Sequence, residues 1–335
     1  MGGPATRDGR LSSYWQVIAR RILLLSCALL RAQDPVFRTT VPEVLVPVTV
    51  TRADGKFGQG LTAASFKLLD NGVEQKIRLL AAGESSSPVS LVVAVQLNDI
   101  ASSALLKIRK TGSLVEPLLL GERGHAAVIT FSDEVHIEQH FTSHAEAISG
   151  AFSRLTPDGS RDAHLLDAVS EAARMLAVRP AGERKVILVI GESRDRGSAT
   201  PLADTVLTLQ RGGITVFTAV FSAYATAFTT KGSEYVPPAN GPDYIGAIRE
   251  VARLGKVKTG DVLPAETGGR KMSFNTLHGL EGLLERVGDE IHNQYLLTYT
   301  PESRTAGYHT IEVRLPGEPK SRIHARPGYW VGDAQ

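Results

Sequence analysis

Apolar positions fall into two kinds of pattern along this chain. Val44, Val46, Val48 and Val50 alternate with other residues, the period of a half-buried strand. Between 88 and 293 the apolar residues come instead in unbroken runs of strand length, over 91–97, 126–131, 186–190 and 214–221. Such runs predict strands covered on both faces, as in a parallel sheet. Helical spacing fills the intervals, over 101–120, 144–155, 163–176, 202–211, 246–253 and 276–291. In the third of these, Leu165, Val169, Ala172 and Leu176 share one helix face. Strand–helix alternation of this kind predicts an α/β fold with a doubly wound, mostly parallel sheet. The stretch 135–141 predicts an antiparallel edge hairpin with the strand before it. Alternation returns at Tyr295, Leu297 and Tyr299 and again over 308–315, and 322–330 predicts one more strand.

Turn residues divide these patterns. Asp54-Gly55-Lys56 separates two strand-like stretches. Asn71-Gly72 is a hairpin signal, because both central positions of such a turn require positive φ. A few strands on their own are marginal. The expectation is therefore that 36–85 and 294–331 combine into one small β-sandwich-like unit, with an α/β domain over 88–293 inserted between them. The stretch 223–244 fits neither period and contains Pro237-Pro238 and Gly241-Pro242, so it reads as an insertion loop.

The N-terminal 35 residues have the layout of a targeting segment. Arg20-Arg21 precede an apolar run over 22–30, and Arg31-Ala32-Gln33 follows as a cleavage zone. Nine residues are too few to span a bilayer, which takes about 20. Leu24-Leu25-Ser26-Cys27 resembles a lipoprotein box, Arg20-Arg21 can be read as a twin-arginine signal, and a buried N-terminal helix is the remaining alternative. The expected localisation is export, to the periplasm, the surface or the medium.

Composition narrows the chemistry. Net charge is +2, with both signs mixed throughout and no basic stripe, and aromatics are 6%. Nucleic acid is therefore not an expected partner. The single cysteine, Cys27, allows neither an internal disulfide nor a cysteine metal site. His136, His140 and His144 are spaced by four, but the first two lie in a strand-like stretch and read as surface residues. There is no Gly-x-Ser-x-Gly elbow and no P-loop, and 98–103 after the first buried strand contains no glycine. A nucleotide would need close backbone approach there. No enzyme site can be assembled, and no cofactor is expected.

The order of elements over 88–293 resembles the von Willebrand factor A (vWA) domain. The residues that carry the likeness are the strand 92–97, Ala127-Val128-Ile129-Thr130-Phe131-Ser132, Phe141-Thr142, Leu166-Asp167-Ala168-Val169, the stretch 185–193 and Gly212-Gly213-Ile214-Thr215-Val216-Phe217. Gly268-Gly269-Arg270 before Met272-Ser273-Phe274 resembles the turn before the family's last strand, and reads equally as a plain tight turn. The flanks, Gly60-Leu61-Thr62, Asp70-Asn71-Gly72, Gln294 to Pro301 and Arg326 to Trp330, resemble exported "VWFA-related" proteins of soil bacteria such as acidobacteria.

The resemblance implies a Mg²⁺-type site (MIDAS) at the carboxyl end of the sheet, built on Asp-x-Ser-x-Ser, a Thr and a later Asp. A hard dication wants oxygen ligands. Here those positions hold Gln96, Asn98, Ile100, Ala163 and Ile190, so a degenerate site without metal is expected. Asp99, Asp162, Glu192 and Asp195 lie on the same rim by sequence. They could form an offset carboxylate metal site. Asp99 and Asp162 could instead cap the helices they precede. The reading is an exported vWA module that binds an unidentified protein without divalent metal, through a rim of Asn98, Asp99, Asp162, Glu192 and Asp195. The alternatives are an envelope scaffold that uses its β unit as the main contact, and metal-dependent binding at the offset site. Tyr329-Trp330 reads as an aromatic end that pins the β unit, or as a contact.

Overall fold

The computed structural model describes Gly2 and residues 43–81, 87–221, 258–303 and 305–331. The targeting segment, the insertion loop at 223–244 and the expected helix at 246–253 lie outside the described residues. The fold is α/β, with a six-stranded sheet flanked by helices and two antiparallel sheets made by the terminal strands.

The strands are β1 Val44–Thr51, β2 Lys67–Asp70, β3 Val73–Gln75, β4 Ile77–Ala81, β5 Val89–Gln96, β6 His125–Phe131, β7 Val135–Thr142, β8 Arg184–Gly191, β9 Thr215–Phe221, β10 Lys271–Phe274, β11 Tyr295–Tyr299, β12 Gly307–Arg314, β13 Arg322–Ala325 and β14 Gly328–Val331. The helices are α1 Ser102–Ile108, α2 Gly112–Val115, α3 Ala145–Arg154, α4 Leu165–Ala177, α5 Leu202–Gly212, α6 Thr259–Thr267 and α7 Leu277–His292.

The central sheet has the order β10-β9-β8-β5-β6-β7, parallel except for β7, which pairs antiparallel with β6 at the edge. The unbroken apolar runs have a simple cause. Leu91, Val93 and Val95 face a core shared with α1, α3 and α7, while Val92 and Ala94 face one shared with α4, α5 and α6. All eight residues of β5 are buried.

The stretch read as one helix over 101–120 is a chain of short pieces instead. A 3₁₀ turn at Asp99–Ala101 leads into α1, another at Arg109–Thr111 into α2, and a π turn at Glu116–Leu120 closes it. Pro117 has no N–H to give to the regular ladder, which forces the last turn wide. Gly112 permits the approach to α3, since a Cβ there would lie 2.7 Å from that of Phe152. α6 is a helix that the sequence pattern did not predict. Gly268, at φ +77°, ends α6 and turns the chain into β10, so the turn and last-strand readings of 268–274 both hold.

The terminal strands form two four-stranded antiparallel sheets, β13-β1-β11-β4 and β14-β12-β2-β3. Val46 and Val48 of β1 share a core with Leu68, Leu297, Tyr299, Ile311 and Tyr329. Asn71 (φ +48°) and Gly72 (φ +82°) make the two-residue turn between β2 and β3. The single strand expected over 322–330 is two strands in different sheets, β13 on β1 and β14 on β12. Pro327 cannot donate to a ladder, so the chain crosses between sheets at Arg326-Pro327.

Within this core lies a polar cluster that hydrophobic patterning could not show. The Asp70 carboxylate accepts hydrogen bonds from the hydroxyls of Tyr299 (2.9 Å) and Tyr329 (2.7 Å). Its other oxygen lies 2.8 Å from His309 Nδ1, and His309 Nε2 lies 2.8 Å from Thr305 O. Burial, then the neighbouring tyrosine and Asp70, pushes the Tyr299 hydroxyl far above its ordinary range. Tyr329 therefore pins the β unit. Trp330 lies half-buried against the α4–α5 side of the α/β layer.

Candidate functional site

The carboxyl end of the central sheet is built from the ends of β5 and β8 and the loops after them. Gln96, the last residue of β5, is fully buried. Its Nε2 donates to Asn98 Oδ1 (2.8 Å) and to Glu192 Oε2 (3.4 Å), and its Oε1 accepts the Glu192 amide (2.7 Å). Asn98, also fully buried, donates to Asp162 O (3.1 Å) and accepts the Ala101 amide (3.3 Å). Every polar atom of both side chains is thus engaged inside the protein. Gly191 makes this possible, because a Cβ there would lie 2.7 Å from Gln96 Oε1.

The remaining positions of the expected pattern face the core. Ile190 packs in one hydrophobic cluster with Ile100 against its edge, and Ala163 packs in the other. Ala163 also bridges the backbone of Arg196. Glu192 forms an ion pair with Arg196 above the two amides.

The helix-capping roles fall on other residues than expected. Asn98, not Asp99, caps the 3₁₀ turn that leads into α1. At α4 the caps are Asp195 and Ser198, whose oxygens accept the Leu166 amide at 3.0 and 3.1 Å. Asp99 and Asp162 are left exposed on the rim. The reason is the loop 157–163, which ties its own amides through Asp158 and Ser160 and so points Asp162 outward.

Asp167, in the first turn of α4, holds the loop before α5. Burial alone would raise its pKa, but hydrogen bonds from the Thr200 hydroxyl and the Ala199 and Thr200 amides outweigh that and hold it below the usual value. A folded-state pKa below the unfolded one adds stability above about pH 4, and acid removes it as the pH falls through the folded value. Asp167→Asn is expected to flatten the acid limb of a stability–pH curve measured by urea unfolding. An unchanged limb would rule out this role.

His136, His140 and His144 are exposed, as read from the sequence. Among the described residues, no group of three or more His, Cys, Asp or Glu is placed to hold a metal ion.

Residues 108–232 match the von Willebrand factor type A domain family. Over those residues the chain carries a vWA-type domain. Its strand order and the burial of both sheet faces accord with that match, and the α/β layer extends beyond the matched residues at both ends, to β5 and β10. Among solved structures, the chain is similar to the conserved hypothetical protein BatB from Bacteroides thetaiotaomicron, at 12% identity over 61% of this chain and 98% of that one, with a TM-score of 0.42. Proximal thread matrix protein 1 of the mussel byssus is similar at 12% identity over 66% of this chain and 49% of that one, with a TM-score of 0.44. An aerotolerance-related membrane protein from Bacteroides fragilis is similar at 12% identity over 60% and 99%, with a TM-score of 0.41. No curated protein matches the sequence.

Proposed function

We propose that this protein is an exported vWA module that binds another protein through the carboxyl rim of its sheet, without a divalent metal. One observation carries the reading: every polar side-chain atom of Gln96 and Asn98 is engaged, with the other amide, with the backbone or with Glu192. A dication would have to break those bonds and would gain only neutral oxygens, while Ile100, Ala163 and Ile190 supply no oxygen side chain at all. The residues present do not fit the metal that the family pattern implies. Arg196, paired to Glu192, supplies positive charge beside that carboxylate.

In this reading Asn98 is floor, not contact surface, because its side chain is shut off from solvent. Asp99 and Asp162 are exposed and make the contact, and Glu192 and Asp195 shape the rim between them. The domain division follows the chain: a targeting segment over 1–35, a β unit from 36–85 and 294–331, and the vWA domain over 88–293. The β unit acts as the mount. Among the described residues no helix is long and apolar enough to cross a membrane.

Titration of the purified protein with Mn²⁺, Mg²⁺ and Ca²⁺ tests the metal-free reading. The expected result is no calorimetric binding and no shift in melting temperature. Tight Mn²⁺ binding that disappears in Asp99→Asn or Glu192→Gln would replace it with the offset carboxylate site. For the contact itself, Asp99→Arg with Asp162→Arg should abolish partner capture in the presence of EDTA while the melting temperature holds. Asn98→Ala should instead lower stability by about 1–3 kcal/mol, through the amides left unpaired.

A further inference from the structure

Two helices run between the rim and the β unit. α5 starts directly after the rim loop at 192–200, whose Thr200 is tied to Asp167. α6 starts against the same loop: the Gly260 amide donates to Ser193 O at 2.8 Å, and a Cβ on Gly260 would lie 2.8 Å from Ser193 Cα. At their far ends both helices meet the β unit at one residue. Arg326 Nη1 donates to Gln210 O in the last turn of α5 at 2.5 Å. Gly268, which ends α6, has room for no Cβ, since one would lie 2.9 Å from Arg326 N. Gln210 Nε2 donates to Glu266 O at 3.2 Å and so ties the two helix ends together. Next to this point His324 Nε2 lies 2.8 Å from Gly269 O, and Leu45 packs on Gly213. At a rise of 1.5 Å per residue, α5 spans about 16 Å between rim loop and seam.

Arg326 holds this seam on narrow terms. It is 3% exposed, and burial pushes its pKa down to about 10. Against that cost stand one helix-terminal carbonyl, the favourable end of the α5 dipole and the Tyr329 ring 5.8 Å away, while Nε has no partner. The helices this buried guanidinium holds are the ones that carry the rim loop.

We infer that Arg326 is a latch between the β unit and helices α5 and α6, and that its docking and the order of the rim loop at 192–200 are coupled through those helices. The inference concerns this chain alone and does not depend on the rim having the partner proposed above. Coupling of this kind is reciprocal: what loosens one end must loosen the other by the same factor.

Hydrogen exchange by mass spectrometry on the full chain tests it from both ends. Arg326→Met removes the charge and keeps much of the volume. Exchange should quicken roughly fivefold or more in 322–330, in 209–214 and also in 192–201, with α3 at its wild-type rate. Gly260→Ala crowds the rim end, where Ser193 must move, and should quicken exchange in 322–330 as well as in 192–201. If Arg326→Met does not fold, Gly260→Ala carries the test alone. Acceleration confined to the mutated end in either variant overturns the coupling. So does equal acceleration in α3, which would mark general loosening.

Discussion

Asp70→Ala is expected to lower stability by about 3–5 kcal/mol, the summed cost of leaving more than one buried polar group without its partner. Asp70 is 5% exposed and His309 is 1% exposed. The carboxylate is the shared partner of Tyr299, Tyr329 and His309, so its loss takes a partner from three buried polar groups at once and leaves the Tyr329–His309 contact at 3.3 Å and the His309–Thr305 contact. Single deletions on the donor side should cost less. Tyr329→Phe leaves Asp70 with two partners, and a loss of about 1–2 kcal/mol is expected. Urea unfolding followed by circular dichroism measures both. A loss below about 1 kcal/mol for Asp70→Ala would mean that the cluster is incidental to the β unit. The location makes the effect large, since Asp70 is on β2, His309 on β12, Tyr299 on β11 and Tyr329 on β14. The cluster fastens both sheets and joins the early and late parts of the chain.

This cluster also marks the boundary of what the sequence reveals. The central sheet was legible because burial on both faces writes itself into consecutive apolar residues, as in Val92-Val93-Ala94-Val95. The hairpin was legible because Asn71-Gly72 is chemistry demanded by two positive φ angles. Asp70 and His309 are separated by 239 positions, and no periodicity ties them. The one available hint was alternation around Tyr299 and Tyr308, which placed strands without saying what their polar members would meet.

At the rim the residue types were legible and their roles were not. Gln96, Asn98, Ile100, Ala163 and Ile190 could be lined up against a family pattern. That Asn98 would cap a 3₁₀ turn, and that Asp195 would cap α4 from 29 positions away, depends on loop geometry. An acid just before a helix is a reasonable cap by sequence. Here the loop 157–163 satisfies its own amides and leaves Asp162 free for the surface. The latch residue was hidden for a similar reason. Arg326-Pro327 lies inside the stretch read as one strand over 322–330, and the burial of Arg326 at the end of α5 follows from the strand exchange between sheets.

Gly288→Ala should destabilise the protein by about 1–3 kcal/mol, although by local preference it should stabilise it. Gly288 is in the middle of α7, where alanine is favoured over glycine by about 1 kcal/mol. The opposing term comes from the π turn at Glu116–Leu120. A Cβ on Gly288 would run into the Leu118 carbonyl, a backbone atom that cannot rotate away. α7 would have to retreat from the sheet, and Leu284, Val287 and Ile291 would lose contact with the core they fill. That core is close-packed, and small shifts there are felt by many side chains. The π turn cannot yield instead, because Pro117 fixes its shape and Leu119 and Leu120 are buried in the same cluster. Overpacking therefore outweighs propensity. Gly282, on the same helix, is the internal control, since no heavy atom lies within 4 Å of a Cβ there. Gly282→Ala should gain a few tenths to about 1 kcal/mol. Melting temperatures of the two variants should move in opposite directions, and a gain in both would show that α7 is free to slide over the π turn.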